Sequence, residues 1–245
     1  MHPAFSVIFL TTLLGVGQGL FLALYTGQVY ALAHLLAPQE PAFYVGGSIL
    51  SVAFLAAGLV ASFFHLGRPE RAWRTATRWR TSWLSREVIV LPAAMGLIAA
   101  YGLLHHLGWT QPLLTVSDSL VLDATLLVGA LATVATFALF VSTAMIYASV
   151  KFLQEWHSPL TVVNFTLLGG ASGFTLAAAY SAWVGADLVA FYGTWAVILT
   201  LAGLLARGAS LIRNRRLSGV SNLQTAIGVR HRRIAQKAQG AMGGS

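Results

Sequence analysis

The stretch LVLDATLLVGALATVATFALFVSTAMIYASV, residues 120–150, decides the fold class of this 245-residue chain. Its one charged residue, Asp123, lies near the start of the stretch. A transmembrane helix requires about 20 largely apolar residues, so this stretch is long enough to tilt in a bilayer or to project into water. It therefore predicts a membrane-spanning helix.

Five further stretches are similarly apolar, and breaks containing Pro, Gly or charged residues separate them. They are residues 5–36, 44–64, 88–107, 160–184 and 188–212. The chain is 57% hydrophobic and only 9% charged, whereas soluble domains average roughly 25% charged residues. The sequence therefore predicts an all-α, polytopic transmembrane helix bundle with six spans, and it excludes a soluble domain.

The predicted bundle occupies residues 1–212 and includes a loop rich in arginine and tryptophan at residues 65–87. Residues 213–245 are expected to form a basic cytoplasmic tail or an inter-helix loop. The first residues lack the basic segment and the small-residue cleavage site of a signal peptide, so they read as the start of the first span.

Small residues recur inside the spans. The first span contains Gly15, Gly17 and Gly19, and the fifth contains Gly169, Gly170 and Gly173. Because lipid provides no hydrophobic drive between helices, small residues that let two backbones approach closely favour helix association. The glycines therefore predict a packed bundle.

The basic residues gather on one side of the predicted topology. All 15 Lys and Arg fall in or beside the second loop, the fourth loop and the C-terminal region, whereas the opposite side carries only Glu40, Asp118 and Asp187. Basic loops remain cytoplasmic. We therefore expect a bacterial inner membrane protein whose termini and basic loop face the cytoplasm.

The loop from His65 to Glu87 is the most distinctive segment. It carries six arginines and three tryptophans, and it is longer than most connections between helices. The positive-inside rule and an interfacial aromatic belt explain part of this composition. The two ionisable groups that frame it, His65 and Glu87, lie at span ends, where burial tunes proton affinity.

This segment also carries a family resemblance. The runs His65-Leu66-Gly67-Arg68-Pro69-Glu70-Arg71-Ala72 and Arg78-Trp79-Arg80-Thr81-Ser82-Trp83-Leu84-Ser85-Arg86-Glu87 resemble the membrane anchor subunits of DMSO reductase and its relatives. Residues 2–9 and 221–229 look more like a narrower branch, the anchor of a cytoplasm-facing sulfite-oxidising enzyme. Members of the family usually have eight spans, so this chain is expected to be a short member or to lack two helices.

The resemblance implies a quinone-reactive membrane anchor. Its partners would be an iron–sulfur electron-transfer subunit and a molybdopterin catalytic subunit, which hold those cofactors, and membrane lipid would surround the bundle. The anchor would pass electrons to ubiquinone or menaquinone in the oxidation of sulfite to sulfate. It would have no catalytic residues of its own, no metal ligands and no nucleic-acid partner.

The same resemblance suggests roles for individual residues. His65 would donate a hydrogen bond to a quinone oxygen or relay protons, and Glu87 would be the relay carboxylate. Arg80 or Arg86 would hold Glu87 ionised, Trp83 would form an apolar wall for the ring, and Gln18 is a further candidate contact. Arginine and tryptophan are favoured interface anchors, and complementary charge steers assembly. The expected partner-docking residues are Arg68, Arg71, Trp73, Arg74, Arg78 and Trp79.

Plainer interpretations of these residues remain open. His65 can simply cap the second span, and Glu87 is favoured at a helix start by the helix dipole. The tryptophans are often interfacial belt residues. Gln18 and Asn164 are polar groups in lipid, and most such groups bond to a neighbouring helix.

Three other functions are compatible with a chain of this kind. A related anchor would serve an S-oxide or N-oxide reductase, with quinol as the electron donor. A b-type cytochrome would need two histidines that face each other; His34 and His105 are the nearest candidates, and we expect no haem. A secondary transporter would need inverted repeats and midplane charges, of which the sequence shows none.

Overall fold

The computed structural model of the chain describes residues 5–64, 66, 69–117, 120–217 and 228. Six helices in this part are long and apolar enough to cross a membrane. They are α1 (Phe5–Leu32), α2 (Pro41–Phe63), α3 (Trp83–His106), α4 (Ala124–Ala148), α5 (Pro159–Val184) and α6 (Val189–Arg215). The predicted all-α bundle of six spans is confirmed.

The ends of several predicted spans differ from the structure. Helix α1 ends at Leu32 instead of residue 36, because His34 adopts a left-handed backbone (φ 57°) that stops the helix. Residues 120–123 are not helical: β1 (Pro112–Ser117) and β2 (Leu120–Asp123) form an antiparallel hairpin. Asp123 then caps α4, since its Oδ1 accepts a hydrogen bond of 2.8 Å from the Leu126 amide.

The described residues of the segment predicted as a loop at residues 65–87 are largely helical. A 3-10 helix spans Pro69–Arg78, and α3 begins at Trp83, four residues before the end of the predicted loop. Ser82 caps α3 by accepting a hydrogen bond from the Ser85 amide. At the other end of the chain, α6 continues three residues past the predicted boundary at residue 212.

Helix α1 lies at the centre of the bundle, where α2, α4 and α5 surround it. Helix α3 packs against α2 and α4, and α6 packs on α5. The outward faces of these helices carry exposed apolar side chains such as Val134, Leu201 and Leu205. In a membrane these faces contact lipid.

The glycines bring α1 and α5 into backbone contact. A Cβ atom on Gly15 would lie 3.2 Å from the Cα of Gly169, and one on Gly173 would overlap the backbone of Gly19 and Leu20. At Gly19 and Gly173, no side chain larger than hydrogen fits without a shift of the facing backbone. The predicted role of the glycines in close packing is confirmed.

We call the end of the bundle that carries the 3-10 helix the basic end, because Lys151, Arg213 and Arg215 also lie there. A polar network joins three helices near the opposite end. Tyr101 donates to Gln28 (2.8 Å), and Gln28 donates to Thr125 (2.6 Å). Thr125 in turn donates to Asp123 (2.7 Å).

Candidate functional site

A buried carboxyl group lies just inside the basic end of the bundle. Glu87 is the fifth residue of α3, and only 6% of its surface is exposed. Its Oε1 accepts a hydrogen bond of 2.5 Å from the hydroxyl of Thr143 on α4. A buried carboxyl requires a polar partner, and here a neutral hydroxyl supplies it. The sequence interpretation did not identify Thr143.

The arginines that were expected to hold Glu87 ionised contact other groups. The Arg86 guanidinium donates to the carbonyls of Trp79 and Arg80, both at 3.0 Å, and lies 4.0 Å from the centre of the Trp83 ring. Arg80 lies over the Trp79 ring at 5.3 Å. Within the described ranges the one ion pair joins Arg71 to Glu70. The expected ion pair of Glu87 is therefore not formed there, because adjacent helical residues point about 100° apart.

A cleft of about 270 Å³ opens in the basic half of the bundle, between α1, α4, α5 and α6. Thr143 and Asn164 each lie about 7.5 Å from the basic end of their helices, at 1.5 Å per residue. The apolar walls include Phe140, Phe165 and Leu168, and the polar lining includes Thr11, Thr12, Gln18, Thr143, Asn164, Ser172 and Arg207. A mostly apolar cleft with a few placed polar groups is typical of a small-molecule site.

Two amide side chains contribute to the lining. Gln18 is fully buried, and its Oε1 has no hydrogen-bond partner among the described residues. Asn164 donates from Nδ2 to the hydroxyl of Ser210 on α6 at 2.8 Å, which confirms that it bonds to a neighbouring helix. Of the residues predicted to contact a ligand, Gln18 lines the cleft, and Glu87 reaches it through Thr143. Arg80, Trp83 and Arg86 lie outside its lining.

Three consecutive residues of α3 connect this cleft to the 3-10 helix. The Ser85 hydroxyl donates to the carbonyl of Thr75, and Arg86 binds the carbonyls that follow the 3-10 helix. Glu87, the next residue, binds Thr143 in the cleft wall. The start of α3 therefore contacts both the 3-10 helix at the basic end and a residue of the cleft wall.

The exposed surface over this helix start is both aromatic and cationic. We call residues 69–83 the platform. Trp73 is 66% exposed, and the guanidinium of Arg74 lies 5.5 Å from the centre of its ring. Trp79 is also exposed. Exposed tryptophans among arginines are typical of partner-docking surfaces and also of the interfacial belt of a membrane protein.

The sequence interpretation missed another segment of the basic end that exposes aromatic side chains. In the segment between α4 and α5, Phe152 is 84% exposed and Trp156 is exposed as well. Arg213 holds this segment by donating to the carbonyls of Gln154 (2.9 Å) and His157 (3.1 Å). The run from Lys151 to Trp156 on the basic side, with aromatic and charged residues interleaved, was the available signal.

Several predicted residues have no described position. His65 and Arg68 lie outside the described residues, as does the segment 221–227. Of the two histidines considered for haem, His105 is buried and stacks on Tyr44 at 4.4 Å between ring centres, whereas His34 is exposed. Within the part of the chain that the structure covers, no group of three or more His, Cys, Asp or Glu could bind a metal.

Comparisons with known proteins identify the same family that residues 65–87 resemble. Residues 1–229 match the family described as DMSO reductase anchor subunit. The chain is 67% identical over its 245 residues to a sulfite dehydrogenase subunit of Allochromatium vinosum, and it covers 75% of that protein. No solved structure matches the chain. These matches confirm the resemblance drawn from the sequence.

Proposed function

Since this chain belongs to the DMSO reductase anchor subunit family, we propose that it is the quinone-reactive membrane anchor of a sulfite-oxidising complex. The similarity to a sulfite dehydrogenase subunit supports sulfite as the substrate of the complex. An iron–sulfur subunit would dock on the platform, with a molybdopterin subunit beyond it. Electrons would pass from the iron–sulfur subunit to a quinone in the cleft.

One observation carries this proposal. The helix start at Ser85-Arg86-Glu87 binds the platform on one side and the wall of the cleft on the other. A docked electron donor and a ligand in the cleft would therefore be connected through the first turn of α3 and the side chain of Thr143 on α4. Electron transfer between a partner and a membrane-soluble acceptor would follow this connection.

The cleft suits a quinone headgroup. Phe140 and Phe165 offer aromatic surface to the ring, and the apolar mouth lets an isoprenoid tail continue into lipid. The bound quinone supplies an acceptor of two electrons and two protons. Gln18, Thr143 and Asn164 would bind and orient its ring oxygens.

Glu87 and Thr143 can hold a proton beside that ring. In the ionised state Glu87 accepts the hydrogen of the Thr143 hydroxyl. In the neutral state the Glu87 hydroxyl donates to Thr143, whose own hydrogen is then free to donate into the cleft. A hydroxyl between a carboxyl group and a ligand oxygen is therefore a proton relay, and positioned general acids of this kind contribute about 10²–10⁴-fold to rates.

The basic end would face the cytoplasm of a bacterium. Basic loops flanking transmembrane helices stay on the cytoplasmic side, and both the platform and the end of α6 are basic. A reporter fused after residue 245 tests this orientation: activity of a cytoplasmic reporter is expected, and activity of a periplasmic reporter would contradict it.

The function is tested on the complex purified from membranes in mild detergent. We expect iron–sulfur and molybdopterin subunits to co-purify and sulfite to reduce decylubiquinone. Glu87→Gln should lower quinone reduction about 100-fold or more and leave sulfite oxidation with a soluble dye unchanged. Glu40→Gln, at an exposed carboxylate of the opposite end, is the matched control.

Two outcomes would contradict the proposal. A chain that purifies without any redox partner is not an anchor of this type. Unchanged quinone reduction in Glu87→Gln would show that the cleft is not the site where quinone is reduced. If the complex instead oxidises decylubiquinol with DMSO and does not respond to sulfite, it is the reductase anchor that the family description names.

A further inference from the structure

We infer that Arg207 of α6 is a further ligand-binding residue of the cleft, and that its guanidinium binds an oxygen of the quinone headgroup. The inference rests on the proposed function, since the occupant is the same quinone. Arg207 places a positive charge in a cleft whose other lining residues are uncharged. It lies on a different helix from both members of the Glu87–Thr143 pair.

The contacts between α5 and α6 fix the face of α6 on which Arg207 lies. Four residues before it, Gly203 packs so closely on Leu168 that a Cβ would lie 2.9 Å from that side chain. Three residues after it, Ser210 accepts a hydrogen bond of 2.8 Å from Asn164. Residues with this spacing share one helix face, so Arg207 lies on the face that meets α5, where it lines the cleft.

Arg207 also lies well inside the span. It is eight residues, about 12 Å, from the end of α6 at Arg215. Helical side chains lean toward the N-terminus of their helix, and the N-terminus of α6 is at the end opposite the basic end. The side chain therefore leaves the helix in the direction away from the lipid headgroups of the basic end. Arginines at such depth are costly and usually line a cavity or a substrate path.

The guanidinium is accessible and is not neutralised by a carboxylate of the described residues. Arg207 is exposed, and the one ion pair in the described ranges joins Arg71 to Glu70. Arg213, six residues later, differs because its guanidinium donates to the carbonyls of the segment between α4 and α5. A guanidinium has five hydrogen-bond donors and no acceptor, so Arg207 suits a ligand that presents oxygen acceptors or negative charge.

A quinone headgroup has these properties. Its two ring oxygens are carbonyls that accept hydrogen bonds, and the ring gains negative charge as electrons from the iron–sulfur partner reach it. Reduction adds two electrons and two protons and forms two O–H bonds. A fixed cation beside a ring oxygen stabilises the charge that develops there. Since a guanidinium stays protonated, the protons would come through Thr143, and Arg207 would only bind.

The test measures how the purified complex distinguishes a charged ligand from a neutral one. The probes are an alkylated hydroxynaphthoquinone, whose acidic hydroxyl is ionised near neutral pH, and its uncharged methyl ether. Equilibrium dialysis gives the ratio of the two affinities. Arg207→Leu should lower the preference for the anion about 10-fold or more, the range of a hydrogen bond to a charged group. Arg207→Lys keeps the charge and should retain most of the preference.

Activity provides a second measurement. In Arg207→Leu the KM for decylubiquinone should rise about 10-fold or more, while dye-linked sulfite oxidation stays at the wild-type level. Arg215→Leu is the matched control, because Arg215 is an exposed arginine of the same helix that does not line the cleft. It should keep both the affinity ratio and the KM, and thermal unfolding checks that each variant is folded.

An unchanged affinity ratio in Arg207→Leu, or an equal change in Arg215→Leu, would overturn the inference and leave the proposed function intact. Loss of bound phospholipid phosphorus from Arg207→Leu with an unchanged ratio would assign the guanidinium to a lipid phosphate instead. A wild-type complex that neither binds nor reduces decylubiquinone would overturn the proposed function, and the inference with it.

Discussion

The hydroxyl of Thr143 on α4 lies 2.5 Å from Oε1 of Glu87 on α3. Both side chains are buried, and Thr143 also lines the cleft between α1, α4, α5 and α6. Glu87 itself does not line the cleft. Any proton that Glu87 exchanges with a ligand there would therefore pass through the hydroxyl of Thr143.

The first prediction concerns this hydroxyl. Thr143→Val keeps the size of the side chain but removes the group between Glu87 and the cleft. We expect quinone reduction by the complex to fall about 10-fold or more, while dye-linked sulfite oxidation stays at the wild-type level. Thr143→Ser restores a hydroxyl and should recover most of the quinone activity.

Thr133→Val is the control for this substitution. Thr133 lies on the same helix, and its hydroxyl donates to the Gly129 carbonyl at 2.8 Å. Equal loss of activity in Thr133→Val and Thr143→Val would show a general effect on α4 and would contradict the relay.

The second prediction concerns the platform. Replacing both Trp73 and Trp79 by alanine removes the exposed rings over which Arg74 and Arg80 lie. Interface tryptophans often contribute about 2 kcal/mol or more, so the iron–sulfur subunit should bind at least 10-fold more weakly. The measurement is the fraction of anchor that co-elutes with its partner on gel filtration.

Trp183→Ala is the matched control for the platform. Trp183 is a similarly exposed tryptophan, but it lies at the opposite end of the bundle, near the end of α5. Its loss should not change co-elution. If the Trp73/Trp79 double variant keeps its partner, the platform is not the docking surface.

The third prediction concerns the crossing of α1 and α5. In Gly173→Ala the new Cβ would overlap the backbone of Gly19 and Leu20, which cannot move as a flexible side chain can. We expect a destabilisation of about 1–3 kcal/mol, measured as a lower unfolding temperature in detergent. Gly193→Ala is the control, because its Cβ would meet nothing within 4 Å and alanine is the better helix former. A stable Gly173→Ala variant would contradict the backbone contact.

The fourth prediction separates stability from ligand binding. Tyr101→Phe removes the hydroxyl that donates to Gln28 and leaves the oxygen of that amide unpaired. The expected cost is about 1–3 kcal/mol of stability, with unchanged quinol affinity, because Tyr101 lies about 21 Å from Glu87 along α3.

Tyr30→Phe controls for the loss of a tyrosine hydroxyl. The Tyr30 ring also packs on an aromatic side chain, Phe191, at 5.0 Å, and its hydroxyl shows no hydrogen bond within the described residues. An equal drop in unfolding temperature in both variants would exclude a stabilising role for the Tyr101 network.

The sequence by itself determined the number of spans, the basic end and the composition of the platform. These properties depend on the length of apolar runs and on the order of charges along the chain, both of which are local. The glycine pattern also indicated close packing, since a missing side chain allows it whichever helix is the neighbour. The resemblance of residues 65–87 to DMSO reductase anchor subunits was likewise recognised from the local order of residues along the chain.

Only the tertiary structure decided how the helices face one another. Helices that are apolar on nearly all sides give no amphipathic signal for the buried face. The hydrogen bond between Glu87 and Thr143 could therefore not be predicted from the sequence. The same holds for the four-helix cleft and for the hydrogen bond between Asn164 and Ser210, which lies 46 residues later in the chain. Contacts of this kind arise from the rotation of each helix against its neighbours, and packing across the whole bundle sets that rotation.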